Sequence, residues 1–175
     1  VRDILAYVRL LVMPRDDIAL LRIINTPPRG IGSRTIETLM QRAVQQGCSV
    51  WDVAGHADLH GAISEKATAA VQQFVELVHR YQRQVTARKA SLSDLVHDLI
   101  QTIDYQAELR RQYDDPNDQQ MRWDSVQDVV NALADYEAKA ERPALSEFLD
   151  DVALAGREFD NDKEDQLRRN AVSLM

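Results

Sequence analysis

Apolar residues recur three and four positions apart along most of this chain, and this spacing restricts its fold more than any other feature. The longest such stretch, residues 62–88, carries one apolar stripe that comprises Ala67, Ala70, Val71, Phe74, Leu77, Val78, Tyr81 and Val85. A period near 3.6 residues places these positions on one face of a helix. We therefore predict an all-α fold, a compact multi-helix domain in which several helices bury such faces against one another.

Capping and breaking residues give the approximate limits of the other helices. Pro14 ends the first helix, and Gly47 fits the left-handed residue that closes a helix. The predicted N-caps are Asp16 or Asp17, Ser33, Ser49 and Ser91. The predicted helices cover about 2–13, 17–24, 34–46, 50–53, 62–88, 92–103, 105–113, 120–139 and 144–155, and residues 114–118 are predicted as a loop.

The last twenty residues differ from the rest. Residues 156–170 are polar and acidic and are predicted as a flexible connector. Ala171 to Met175 is an apolar run typical of a strand, although no partner strand is evident upstream. We expect a helical domain over residues 1–155, a connector and lone C-terminal strand over 156–175, and a chain that is a piece of a longer polypeptide.

Composition excludes several classes of protein. Apolar residues make up 45% of the chain and charged residues 28%, as in soluble globular proteins. No apolar run approaches the roughly 20 residues of a membrane helix, so no membrane partner is expected. Cys48, the single cysteine, cannot form an internal disulfide. His56 and His60 lie four residues apart, and a surface loop is favoured there over a metal site. A cytoplasmic protein without a bound metal is the simplest interpretation.

Charge is distributed unevenly along the chain. The net charge of −7 argues against a protein that coats nucleic acid through a broad basic surface. Residues 1–50, however, contain seven arginines and four carboxylates, so their net charge is +3. A local contact with phosphate therefore remains open in this part of the chain.

A glycine turn lies in this basic part. Gly30 and Gly32 flank Ile31, Arg29 precedes them, and the polar run Ser33-Arg34-Thr35 opens the next helix. Glycine lacks the Cβ that blocks close approach, and a helix start offers free N–H groups to an anion. We predict a helix-hairpin-helix-like turn in which the amides from Gly30 to Arg34, the arginines and the hydroxyls bind phosphate. Such contacts position a duplex without reading its sequence. The alternative is a plain interhelical turn whose glycines only allow close packing.

The segment Arg-Ile-Ile-Asn-Thr-Pro-Pro-Arg-Gly-Ile-Gly, residues 22–32, together with the helix and the Asp-Asp pair before it, resembles the start of subdomain 2B in the UvrD/Rep/PcrA DNA helicases. The run from Ala171 to Met175 is similar to the strand that leads into the family's next motif. Between these ends the similarity is looser and consists of the helical pattern, Trp51, and Phe148 before an acidic stretch.

The resemblance implies a function. Members of this family are ATP-driven 3′→5′ DNA helicases of repair and replication. Their subdomain 2B is a helical insertion in motor domain 2A that touches duplex DNA through the Gly-Ile-Gly turn and regulates unwinding. Carried over by position, the DNA-binding residues are Thr26, Arg29, Gly30, Ile31, Gly32, Ser33, Arg34 and Thr35. The implied partners are double-stranded DNA at a fork or junction, the motor domains of the same chain, and repair or transcription proteins in a bacterial cytoplasm at the nucleoid.

Enzymatic activity is not expected of this chain alone. It contains no GxxxxGK[ST] sequence, the phosphate-binding loop of such motors. ATP and Mg²⁺ are expected in the motor domains of the parent protein, and no catalytic, cofactor-binding or metal-binding residue is assigned here. The alternative function is a helical protein–protein interaction module without direct DNA contact, in which the acidic helices dock a basic partner.

Overall fold

The computed structural model of the chain describes residues 1–56, 61 and 63–155. In this part of the chain the helices are α1 (Arg2–Val12), α2 (Asp17–Ile23), α3 (Ser33–Gln46), α4 (Val50–Gly55), α5 (Glu65–Ala87), α6 (Leu92–Thr102), α7 (Tyr105–Gln112) and α8 (Pro116–Lys139), and residues 145–155 are also helical. The all-α prediction is confirmed. The predicted connector at 156–170 and the predicted strand at 171–175 lie outside the described residues.

The long helix α5 joins two groups of helices. It packs against α1 and α4 of the N-terminal part and also against α6, which in turn packs against α7 and α8. The stripe predicted on α5 is the buried one, because Phe74 and Tyr81 are at most 1% exposed. Gln82 extends the contact by donating from Nε2 to the carbonyl oxygens of Leu10 (3.3 Å) and Leu11 (3.4 Å). The N-terminal helices are therefore held on a continuous core.

Three predicted helix ends are confirmed by their capping contacts. Asp16 accepts a hydrogen bond from the backbone N–H of Ala19 at 3.0 Å, and this bond holds the pKa of Asp16 below its usual range. Ser49 and Asp52 form a capping box at the start of α4. Gly47 ends α3 with a φ of 61°. These ends were predictable because each depends on residues only a few positions apart.

Three predicted helix starts are wrong. α5 begins at Glu65 rather than at residue 62, because the Ser64 side chain caps the helix and accepts from Ala67 N at 3.2 Å. α8 begins at Pro116 rather than near residue 120, because Asp115 caps the first turn and accepts from Asn117 N at 2.8 Å. Proline at the first helical position is favourable, since its missing N–H needs no partner there. Ser33 is the first residue of α3 instead of its cap. Gly32 is the N-cap, and it has no side chain to bond the first amides of the helix.

No helix in the described ranges is long and apolar enough to cross a membrane.

α7 carries a buried carboxylate. Glu108 accepts hydrogen bonds from Arg111 Nε (2.8 Å) and Nη2 (2.7 Å), and from the side chain of Gln112. The donation from Arg111 is the main reason that the pKa of Glu108 lies below its usual value. The ionised form is therefore more stable in the folded protein than in the unfolded chain.

We expect Glu108→Gln to lower the free energy of unfolding by about 2 kcal/mol at pH 7. A carboxyl whose pKa is lowered by folding stabilises the protein above its unfolded pKa, and that contribution is lost as the pH falls through the folded pKa. Urea unfolding of the wild type and the variant should therefore differ clearly at neutral pH and converge in acid. The exposed Glu141→Gln is the control. A difference that stays constant down to the acid range would contradict this assignment.

Candidate nucleic-acid interface

The predicted glycine turn connects α2 to α3 and has an inner and an outer side. Ile31 lies on the inner side and is fully buried in the core. Gly30, Gly32, Ser33 and Arg34 are exposed on the outer side. The turn therefore presents a short backbone segment to solvent while its central side chain anchors it.

Asn25 organises the turn from within. Its Oδ1 accepts hydrogen bonds from the backbone N–H groups of Arg29 at 2.7 Å and of Ile31 at 3.2 Å. Asparagine commonly bonds the backbone a few residues ahead in this way. The amides of Arg29 and Ile31 are thus satisfied internally and are not available to a ligand.

The guanidinium of Arg29 is directed into the protein. Its Nη1 donates to the carbonyl oxygens of Ile23 and Pro27, each at 3.0 Å, and its Nη2 donates to the hydroxyl of Tyr7. The guanidinium carbon lies 5.8 Å from the ring centre of Tyr7 and 5.2 Å from that of Phe74. The sequence predicts that Arg29 adds positive charge to a phosphate site. In the structure its guanidinium is already hydrogen-bonded inside the protein, beneath the turn.

The Tyr7 hydroxyl completes this inner contact. It donates to the carbonyl oxygen of Thr26 at 2.6 Å and accepts from Arg29. Burial raises the pKa of Tyr7 to about 12, so the hydroxyl keeps its proton at neutral pH and remains a donor. The carbonyl oxygen of Thr26 is therefore already hydrogen-bonded within the protein.

The two glycines do not serve internal packing. A Cβ built on Gly30 or Gly32 would meet no atom within 4 Å. Gly30 has a φ of +80°, which favours glycine, whereas Gly32 has a φ of −76° that any residue adopts. The alternative that these glycines only allow close packing inside the protein is therefore not supported. At Gly32, the absence of a side chain leaves the outer surface open.

Several backbone amides of this exposed segment have no acceptor among the described residues. In the part of the chain that is described, no hydrogen-bond acceptor is found for the N–H groups of Gly30, Gly32, Ser33 and Arg34. The next two amides, of Thr35 and Ile36, both donate to the carbonyl oxygen of Gly32 at 3.0 and 3.1 Å. The free donors include the first amides of α3, where the helix dipole is positive.

The side chains of the polar run divide between the two sides. Ser33 and Arg34 are exposed, whereas Thr35 is only 8% exposed and lies towards the core. Within the described ranges, the Arg34 guanidinium makes no ion pair or hydrogen bond. Of the eight predicted residues, Gly30, Gly32, Ser33 and Arg34 lie together on the exposed side, while Thr26, Arg29, Ile31 and Thr35 hold the turn in place.

Ion pairs reduce the basic character of the N-terminal part. Arg15 bonds Asp52 at 3.1 Å, Arg22 bonds Asp3 at 2.7 Å, and Arg9 pairs with Asp16. Asp3 and Asp16 are already counted in the net charge of residues 1–50, so only the pair with Asp52 lowers that excess, from +3 to +2. Arg34 is the arginine that the fold presents beside the exposed amides.

No metal centre accompanies this surface in the described residues, which hold no group of three or more His, Cys, Asp or Glu side chains placed to share an ion. His56 is the C-cap of α4 and is exposed. His60 lies outside the described residues.

Sequence reasoning did not identify the inner residues of the site. Tyr7 and Phe74 lie 22 and 45 positions from Arg29, and only the packing of α1 and α5 brings them to the turn. Asn25 did carry a local signal, since asparagine before a Pro-Pro pair is typical of a side chain that bonds its own turn.

Comparison with known proteins agrees with the sequence resemblance. The family of UvrD-like helicase C-terminal domains matches residues 1–175. The chain is 30% identical to the ATP-dependent DNA helicase PcrA of Staphylococcus aureus and 28% identical to PcrA of Bacillus subtilis, over its whole length in both cases. It spans 23% of the length of each of these relatives.

Proposed function

Since the chain belongs to the family of UvrD-like helicase C-terminal domains, we propose that it is the duplex-contacting, regulatory part of an ATP-dependent 3′→5′ DNA helicase of repair or replication. Residues 1–155 form a 2B-like helical subdomain in this proposal, and residues 156–175 lead into motor domain 2A. ATP and Mg²⁺ bind in the motor domains of the parent protein, in the cytoplasm. The family match and the PcrA relatives support a helicase, and the geometry of the turn supports the DNA contact.

The main observation in support of a DNA contact is the exposed, unobstructed backbone at Gly32. Its backbone conformation does not require glycine, its Cβ position meets no protein atom, and unpaired amides lie on both sides of it. Free N–H groups beside a residue that has no side chain suit a phosphodiester group, which needs donors and close approach. We call the exposed residues Gly30, Gly32, Ser33 and Arg34 the phosphate edge.

The phosphate edge provides two kinds of contact. The four amides and the Ser33 hydroxyl donate hydrogen bonds to phosphate oxygens, while the Arg34 guanidinium adds one full charge. These groups do not reach base edges, so binding is independent of sequence. One arginine gives a modest affinity, which suits a subdomain that senses the duplex ahead of a motor bound more firmly elsewhere.

A charge placed at Gly32 tests this proposal. We expect Gly32→Glu in the full-length protein to weaken binding to a blunt DNA duplex by about tenfold or more, because the carboxylate repels phosphate and covers the amides. Fluorescence anisotropy of a labelled duplex measures the affinity, and a forked substrate measures unwinding. Gly55→Glu is the matched control, since Gly55 is also exposed, has no positive φ and meets no atom within 4 Å.

The alternative function, a protein–protein interaction module, is favoured by one observation. α8 presents the exposed carboxylates of Asp124, Asp128 and Asp135 on one helical face, as a contact with a basic partner requires. Equal duplex affinity and unwinding for the wild type, Gly32→Glu and Gly55→Glu would contradict the DNA proposal and leave this alternative.

A further inference from the structure

We infer that Arg29 and Asn25 are positioning residues, which fix the phosphate edge from inside the protein while Arg34 alone of the two flanking arginines meets the DNA. The inference rests on the proposed function and deepens it. It assigns different roles to the two arginines that flank the Gly-Ile-Gly sequence, Arg29 directly before it and Arg34 two residues after it. The inner set, which we call the clamp, consists of Asn25, Arg29 and Tyr7.

The carboxamide of Asn25 sets the direction of the exposed amides. By accepting from Arg29 N and Ile31 N, it fixes the peptide plane before Arg29 and the peptide plane after Gly30. The residue with positive φ between them is then held in one conformation. Because glycine is the most flexible residue, the edge needs an external restraint of this kind to keep its donors aligned.

The guanidinium of Arg29 ties the turn to three helices. It bonds the carbonyl of Ile23 at the end of α2, the hydroxyl of Tyr7 on α1, and lies over the ring of Phe74 on α5. A planar group with several fixed donors satisfies these acceptors together, and lysine does not reproduce that geometry. Moving the side chain out to a phosphate would leave the carbonyls of Ile23 and Pro27 without this donor.

Salt dependence separates the two tasks. A side-chain charge that neutralises one phosphate contributes about 0.9 to the slope of log K against log salt, whereas a neutral amide contributes none. We expect Arg34→Gln to lower the magnitude of this slope by about 0.9, and Arg34→Lys to retain it. Arg29→Gln and Arg29→Lys should both weaken duplex binding by about tenfold with an unchanged slope, since lysine keeps the charge but loses the clamp.

The experiment is a salt titration of duplex binding by the full-length protein, carried out well below the melting temperature of each variant. Asn25→Ala and Tyr7→Phe are included because they remove parts of the clamp without changing charge. Each is expected to weaken binding by about three- to tenfold at constant slope. Tyr7→Phe is the mildest of these changes, so it still tests the clamp if an Arg29 variant fails to fold.

The outcomes distinguish the inference from the function on which it rests. The slope of log K against log salt could fall in Arg29→Gln as it does in Arg34→Gln, and return to the wild-type value in Arg29→Lys. This result would show that Arg29 contacts phosphate directly, and it would overturn the inference. Full duplex affinity in the clamp variants, with losses in Arg34→Gln and Gly32→Glu, would also overturn it while the proposed function stands. If Arg34→Gln and Gly32→Glu both bind duplex DNA with the affinity of the wild type, the proposed function itself is contradicted.

Discussion

Replacing Ile31 with alanine should lower the free energy of unfolding by about 2–5 kcal/mol. The side chain is fully buried beneath the turn, so its truncation removes apolar contacts and leaves a cavity in the core. The loss is not confined to a loop, because Ile31 is part of the same core cluster as α1, α2 and α5. Urea unfolding of the chain, followed by circular dichroism, measures the change.

Ile18→Ala is the matched control, since it makes the same substitution at a side chain that is 85% exposed on α2. Its effect should stay within about 0.5 kcal/mol. Similar midpoints for the two variants would mean that Ile31 is not packed in the core in solution, and the division of the turn into an inner and an outer side would be wrong.

Phe74→Ala should be at least as destabilising, by about 3–5 kcal/mol. The ring is 1% exposed, and it contributes both core volume on α5 and an aromatic face under the Arg29 guanidinium. A cation over an aromatic ring adds about 0.5–2 kcal/mol to the packing contribution. Thermal and urea unfolding give the total effect.

Phe74→Leu separates the two contributions. Leucine keeps most of the apolar volume but removes the ring, so we expect a loss of about 1.5 kcal/mol. The double variant Phe74→Leu with Arg29→Gln should lose less than the sum of the two single changes, because the ring and the guanidinium interact. Strict additivity would show that the two groups do not stabilise each other.

Most of the fold could be predicted because its signals are local. The buried stripe of α5, the cap at Asp16 and the left-handed end at Gly47 each depend on residues within one or two helical turns. The start of α8 was missed because the acidic run before Pro116 was interpreted as a loop. In the structure, the last of these acidic residues before the proline caps the helix.

The candidate site was predictable only in its position along the chain. The sequence showed a glycine turn at the start of a helix, flanked by arginines, and its resemblance pointed to a duplex-contacting element. It did not show which groups are free. Gly32 as an N-cap without a side chain, and the open space beside it, become visible only in three dimensions.

By itself, the sequence predicted the all-α class that the described residues show, the approximate positions of their helices, and a glycine turn between the second helix and the third. Only the tertiary structure decided that Arg29 faces inward and Arg34 outward. The physical reason is that Arg29 finds its acceptors and aromatic faces on α1, α2 and α5, at positions up to 45 residues away. No pattern of neighbouring residues encodes such contacts, because they exist only once the helices have packed.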